Sequence, residues 1–77
     1  MTANPPEYAV LLFHATSHTM RVEKLLRDEG LACKLIPVPR HISSDCGVCV
    51  RVGHQDVEAA LRVVEGAGME LMGVRAA

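Results

Sequence analysis

The chain has 77 residues, of which 49% are hydrophobic and 22% are charged, and its formal net charge is −1. This length supports one small domain with a modest core and leaves no room for a second domain. The near-neutral charge and the presence of only two aromatic residues, Tyr8 and Phe13, argue against a nucleic-acid partner, which needs a positive surface and often exposed rings.

The ends and the cysteines of the chain indicate its compartment. No apolar run approaches the roughly 20 residues of a membrane span, and "MTANPPEY" lacks the features of a signal peptide. We therefore expect a cytoplasmic protein without a membrane partner. Three cysteines, an odd number, predict reduced thiols rather than a disulfide framework. Residues 1–6 are predicted to be a flexible leader, and residues 7–77 a single domain.

The first half of the chain predicts a strand, a helix and a second strand. The apolar run Glu7–Phe13 has strand length. An amphipathic helix follows, with Thr16 or Ser17 as its N-cap and Gly30 at its C-terminal cap. The segment 31–38 is predicted to be a short strand that ends at its prolines, with Cys33 as a core residue.

The second half repeats this order after a turn-rich loop at residues 39–47. Alternation from Val48 to Val52 predicts a strand with the valines on one face and Cys49 and Arg51 on the other. A helix from about Gln55 to Glu65, which ends at Gly66, and a strand over 69–74 complete the order βαββαβ. We expect an α+β, ferredoxin-like fold, in which a four-stranded antiparallel sheet carries both helices on one face.

This topology predicts that the loop before the third strand lies near the start of the first helix. His14, Thr16, Ser17 and His18 should then approach Cys46. A helix N-terminus favours negative charge, so a thiol placed there has a depressed pKa and is more nucleophilic.

Other loop residues are predicted to support an anion at Cys46. Arg40 and His41 supply positive charge, and Ser43 and Ser44 supply hydroxyl and amide donors. Gly47 leaves the sulfur accessible, since it has no side chain.

The stretch "PVPRHISSDCG", residues 37–47, together with "LLFHATSHTMRVEKLLRDEGL", resembles the Se/S carrier protein-like family of small bacterial domains. The resemblance covers about Tyr8 to Val74. It implies a carrier rather than an enzyme with independent turnover, in which Cys46 holds sulfur or selenium as a persulfide or perselenide. The implied partners are a donor such as a cysteine desulfurase and an acceptor enzyme; no other cofactor is expected.

The match to the family motif extends around the cysteine, and one residue departs from it. Pro39, Arg40, Ser43, Ser44 and Gly47 match the motif. Cys49 stands where the family suggests a small apolar residue, and it is a candidate resolving thiol that would convert a persulfide into a disulfide.

Two alternatives remain open from the residues alone. Cys46 and Cys49 form a CxxC pair that suits a redox module, or a metal site with His41 and either His14 or His54. No regular ligand spacing supports a metal, so none is expected. The other alternative is a non-catalytic binding or dimerisation domain: an apolar patch with Cys49, Val10 or Leu12 on the uncovered sheet face would then mediate a homodimer.

Overall fold

The computed structural model describes residues 7–42 and 47–76. These residues form an α+β structure of four strands and two α-helices in the predicted order. The elements are β1 (Tyr8–Leu12), α1 (Thr16–Asp28), β2 (Cys33–Pro37), β3 (Val48–Gly53), a short 3₁₀ turn (His54–Asp56), α2 (Val57–Gly66) and β4 (Gly73–Ala76). Neither helix in these ranges has the length and apolar character needed to cross a membrane.

The strands form one antiparallel sheet in the order β2-β3-β1-β4. The predicted antiparallel pairing of the first and third strands is confirmed, with Tyr8 opposite Gly53 and Leu11 opposite Val50. Pro37 lies on β2, an edge strand, where a residue without an amide hydrogen is tolerated.

Both helices pack on the same face of the sheet. The main core joins residues of β1 and β3 to the buried faces of the helices, and all of its members are at most 3% exposed. They are Leu11, Phe13, Val22, Leu26, Val50, Val52, Ala60 and Val64. Burial of each large apolar side chain contributes about 1.5–3 kcal/mol, so this face supplies most of the stability.

The opposite face, which we call the open face, carries no helix. Strand alternation and register assign it one set of residues from each strand. They are Tyr8, Val10 and Leu12 of β1, Lys34 and Ile36 of β2, Cys49, Arg51 and Gly53 of β3, and Gly73 and Arg75 of β4.

The ends of the helices differ in part from the prediction. Gly30 has φ +79° and closes α1, as predicted: the Leu31 amide donates to the Leu26 carbonyl at 2.9 Å. At the other end the predicted N-cap is wrong. Ala15 is the N-cap residue and offers no side-chain acceptor, and Thr16 is already the first residue of the helix.

The turn at the end of α2 explains why the last strand begins later than predicted. The helix ends at Gly66, as predicted, but Gly68 takes the left-handed conformation with φ +69°. The Met69 amide then bonds back to the Val64 carbonyl at 3.2 Å. Residues 69–72 therefore belong to the turn after the helix, and β4 begins at Gly73, where the prediction placed it at residue 69.

Candidate functional site

Four chain segments meet at one end of the sheet. Since β1 and β2 both run antiparallel to β3, their C-terminal ends lie beside its start, and β4 also begins here, where Leu12 is opposite Gly73. The Val38 amide donates to the Gly47 carbonyl at 3.1 Å, which closes the β2–β3 connection. The first turn of α1 follows directly from β1 at this same end.

The central residues of the predicted site lie outside the described part of the chain. These are Cys46, Ser43 and Ser44, so their predicted roles stay predictions. Both sides of the connection are described: Ile42 donates its amide to the Pro39 carbonyl at 3.0 Å, and Gly47 leads directly into β3.

The charged residues that precede Ile42 are accessible to solvent. Arg40 and His41 are both exposed, in the turn that follows β2. Gly47 is also exposed, and a Cβ added to it would meet no atom within 4 Å. The described residues therefore give no steric requirement for glycine at position 47, and its predicted role in access to Cys46 stays a prediction.

The first turn of α1 presents polar side chains to solvent. Ser17 and His18 are exposed, and no acidic residue stands in this turn to offset the positive end of the helix dipole. The buried Thr19 hydroxyl donates to the Ala15 carbonyl at 3.2 Å, which holds the turn together. The positive end of the α1 dipole therefore lies at the same end of the sheet as the β2–β3 connection, and its effect on Cys46 stays a prediction.

His14 contacts a residue that the sequence did not single out. Its Nε2 lies 3.2 Å from Glu70 Oε1, and both side chains are substantially exposed. The pair joins the β1–α1 connection to the turn before β4, although an exposed pair of this kind adds little stability. The sequence prediction placed Glu70 inside the last strand, so its contact with His14 could be found only once the later start of β4 and its pairing with β1 were known.

Cys49 is fully buried on the open face. It packs with Val10 and Leu12, and the three residues are 0–2% exposed. Half-buried apolar residues cover them, namely Ile36, Val38, Ile42 and Met72. The predicted exposed patch with these three residues is therefore wrong, because the segment after β2 and the turn before β4 fold over them.

This burial bears on the proposed resolving role of Cys49. Thiols buried among apolar groups are chemically inert compared with exposed ones. To attack a persulfide on Cys46, Cys49 would have to become exposed from beneath Ile42 and the other covering residues. The resolving role of Cys49 therefore stays a prediction, and the burial of its thiol opposes it.

Cys33 is a half-buried residue at the margin of the main core, as predicted. Its Sγ donates to the Glu23 carbonyl at 3.5 Å. Burial raises the pKa of the Cys33 thiol, and this outweighs the opposing effect of the Arg27 side chain. Cys33 is therefore a poor nucleophile at neutral pH.

One histidine considered for a metal site, His54, lies away from the β2–β3 connection. His54 follows β3, and its amide donates to the Glu7 carbonyl at 2.9 Å. It is at the opposite end of β3 from Gly47, so its inclusion in a site with His41 is wrong. Among residues 7–42 and 47–76, no group of three or more metal-binding side chains is present.

Comparison with known families decides the classification of the chain. A family model described as "Putative Se/S carrier protein-like" matches residues 7–74. The chain belongs to this Se/S carrier-like family. The match extends from the start of β1 into β4 and includes the β2–β3 connection with Cys46. No curated protein and no solved structure matches the chain.

Proposed function

We propose that the protein carries sulfur or selenium as a persulfide or perselenide on Cys46 and delivers it from a donor enzyme to an acceptor enzyme. The match to the Se/S carrier-like family over residues 7–74, which includes Cys46, is the observation that carries this proposal. The protein would act as a carrier without independent turnover, in the cytoplasm, where its thiols stay reduced.

The transfer step is an exchange between two sulfur atoms. The Cys46 thiolate attacks the terminal sulfur of a persulfide on the donor, and a new S–S bond forms on Cys46. The S–S bond of the donor breaks, and the donor cysteine leaves as a thiolate. No net oxidation occurs, so the step needs only a donor such as a cysteine desulfurase persulfide. Delivery to the acceptor is the reverse exchange.

The geometry around the β2–β3 connection supports this chemistry. Gly47, which follows Cys46 in the sequence, leads into β3 at the end of the sheet where α1 begins. The positive end of α1 and the exposed Arg40 and His41 are all at this end. Positive charge of this kind lowers a thiol pKa and stabilises a persulfide anion.

The architecture supports the same proposal. The order βαββαβ, the strand order β2-β3-β1-β4 and the position of both helices on one face are consistent with a ferredoxin-like fold. We propose this architecture as the scaffold that brings the β2–β3 connection to the start of α1.

The proposal is tested by mass spectrometry after incubation with a cysteine desulfurase and cysteine. We expect the wild-type protein to gain one sulfur atom that dithiothreitol removes. Cys46→Ser should abolish the gain. Cys33→Ser and Cys49→Ser, the matched controls that each remove one other thiol, should retain it. Selenocysteine in place of cysteine tests selenium loading in the same way.

Three results would contradict the proposal. The first is a wild-type protein that stays unmodified while the desulfurase visibly consumes cysteine. The second is a loss of two protons on oxidation that depends on both Cys46 and Cys49, with no added sulfur, which would indicate a CxxC redox module. The third is stoichiometric zinc that depends on both thiols, which would indicate a metal site.

A further inference from the structure

Three basic side chains form a row across the open face. Lys34 of β2 pairs with Arg51 of β3, Arg51 pairs with Val10 of β1, and Val10 pairs with Arg75 of β4. We call Lys34, Arg51 and Arg75 the basic row. Since neighbouring strands are about 5 Å apart, the three residues lie within about 15 Å of one another along one line across the sheet.

The basic row has no carboxylate partner in residues 7–42 and 47–76. Arg75 donates from Nη1 to the adjacent Val74 carbonyl at 2.9 Å, which leaves its charge uncompensated. Lys34 and Arg75 are exposed, and Arg51 is half-buried.

Two of the helical cations have carboxylate partners. Arg27 lies 3.2 Å from Glu23, and Arg62 lies 3.6 Å from Glu58, each one helical turn away. The three strand cations have no such partner among residues 7–42 and 47–76, and they share the open face.

Arg51 is held in place without hydrogen bonds to carboxylates. Its guanidinium carbon lies 4.2 Å from the centre of the Tyr8 ring, an arrangement that favours a cation. Its buried Nε has no hydrogen-bond partner in the described residues. Like charges directly opposite on neighbouring strands destabilise a sheet, so the Lys34–Arg51 pair is unfavourable unless an anion binds it.

We infer that the basic row is a docking surface for an acidic segment of another protein. Charge complementarity is the reason, because three cations without carboxylate partners among the described residues favour a surface that presents several carboxylates. A second copy fits less well, since a two-fold contact through this row would place cations against cations. This inference does not depend on sulfur transfer at Cys46.

A nucleic acid also fits less well than an acidic protein. Single strands are held by stacking on exposed rings. Phe13 is fully buried, and the Tyr8 ring, 39% exposed as a residue, already contacts Arg51. The open face thus offers positive charge but no free aromatic ring on which a base could stack.

The test uses an oligoglutamate peptide as the probe, with amide chemical shifts of the full-length protein as the readout. At low salt, we expect the peptide to shift the amides of the basic row, and binding should weaken as salt rises. Lys34→Gln/Arg75→Gln should reduce the affinity roughly threefold to tenfold, since it removes two of the three cations while each exposed ion pair contributes only weakly. Both positions are exposed, so the variant should fold.

The matched control is Arg21→Gln/Lys24→Gln, which removes two exposed charges from α1. We expect it to bind the peptide within twofold of wild type. An equal loss of affinity in both variants, or no peptide binding at low salt, would overturn the inference. Tighter binding of single-stranded DNA to the same amides, or a dimer that the Lys34/Arg75 variant dissociates, would overturn it in favour of those occupants.

Discussion

The two faces of the sheet bury apolar residues in different ways. The helix-covered face packs large side chains of β1 and β3 against two regular helices. The open face buries Val10, Leu12 and Cys49 under half-buried residues of two irregular segments, and the rest of it carries the basic row. One face is thus closed by regular packing, whereas the other combines a thin apolar cover with uncompensated charge. The difference indicates that folding depends chiefly on the first face and leaves the second for contacts with other molecules.

The largest expected effect is a difference in the free energy of unfolding between alanine variants of two adjacent leucines that point to opposite faces. Leu11 and Leu12 are both at most 2% exposed. Truncation to alanine in a core costs about 2–5 kcal/mol, and the cost is lower where neighbours can relax into the cavity. We expect Leu11→Ala to lower the free energy of unfolding more than Leu12→Ala, because the cover over Leu12 is half-buried and irregular.

Urea unfolding of both variants measures this difference. If Leu12→Ala lowers the free energy of unfolding as much as Leu11→Ala or more, the open face is packed at least as rigidly as the helix-covered face. The proposed contrast between the two faces would then be wrong.

The next prediction concerns the unfavourable charge pair on the open face. Lys34→Glu places a carboxylate opposite Arg51 on the neighbouring strand. An opposite-charge pair in this position is worth about 0.2–1 kcal/mol, and the substitution also removes a repulsion. We therefore expect the variant to be more stable than wild type by up to about 1 kcal/mol in low salt.

Thermal unfolding at low and high salt checks this prediction. Lys24→Glu on α1, which makes the same change at an exposed helical position, is the control and should not stabilise the protein. If Lys34→Glu is neutral or destabilising at low salt, Arg51 is already compensated, and the basic row loses its energetic argument.

Much of the fold follows from local patterns in the sequence. Alternation in β3 correctly separated its valines from Cys49, and Gly30 correctly marked the end of α1. These predictions succeeded because each depends on a few consecutive residues. The N-cap and the start of β4 were wrong because Ala15 carries no capping signal, and because the turn closed by Gly68 is followed by residues that also suit a strand.

The site was less predictable because it depends on residues far apart in the sequence. The meeting of the β2–β3 connection with the start of α1 followed from strand order alone. The basic row did not, since Lys34, Arg51 and Arg75 align only when the register of all four strands is known. The cover over Cys49 depends on how the segment after β2 folds, which no periodicity encodes.

A smaller effect is expected from the helical ion pairs. Arg62 and Glu58 are both highly exposed, and such pairs contribute about 0.3–0.5 kcal/mol. Arg62→Gln should therefore lower the free energy of unfolding by no more than this amount, whereas Lys34→Gln should leave it unchanged or raise it. Urea unfolding at low salt compares the two. A loss of stability in Lys34→Gln as large as in Arg62→Gln would remove the distinction between paired and uncompensated cations.

The smallest predicted effect is a pH dependence that arises at Cys33. Burial raises the pKa of this thiol above its ordinary value of 9.0, so the folded chain holds the proton more tightly than the unfolded chain does. The resulting stabilisation is fully present below about pH 9 and is lost as the pH rises through the higher pKa of the folded state. The difference in unfolding free energy between wild type and Cys33→Ala should therefore shrink from pH 7 to pH 10. Because the two proteins share every other titrating group, a difference that stays constant or grows over this range would mean that Cys33 ionises as readily in the folded chain as in the unfolded one, and its place at the edge of the core would need revision.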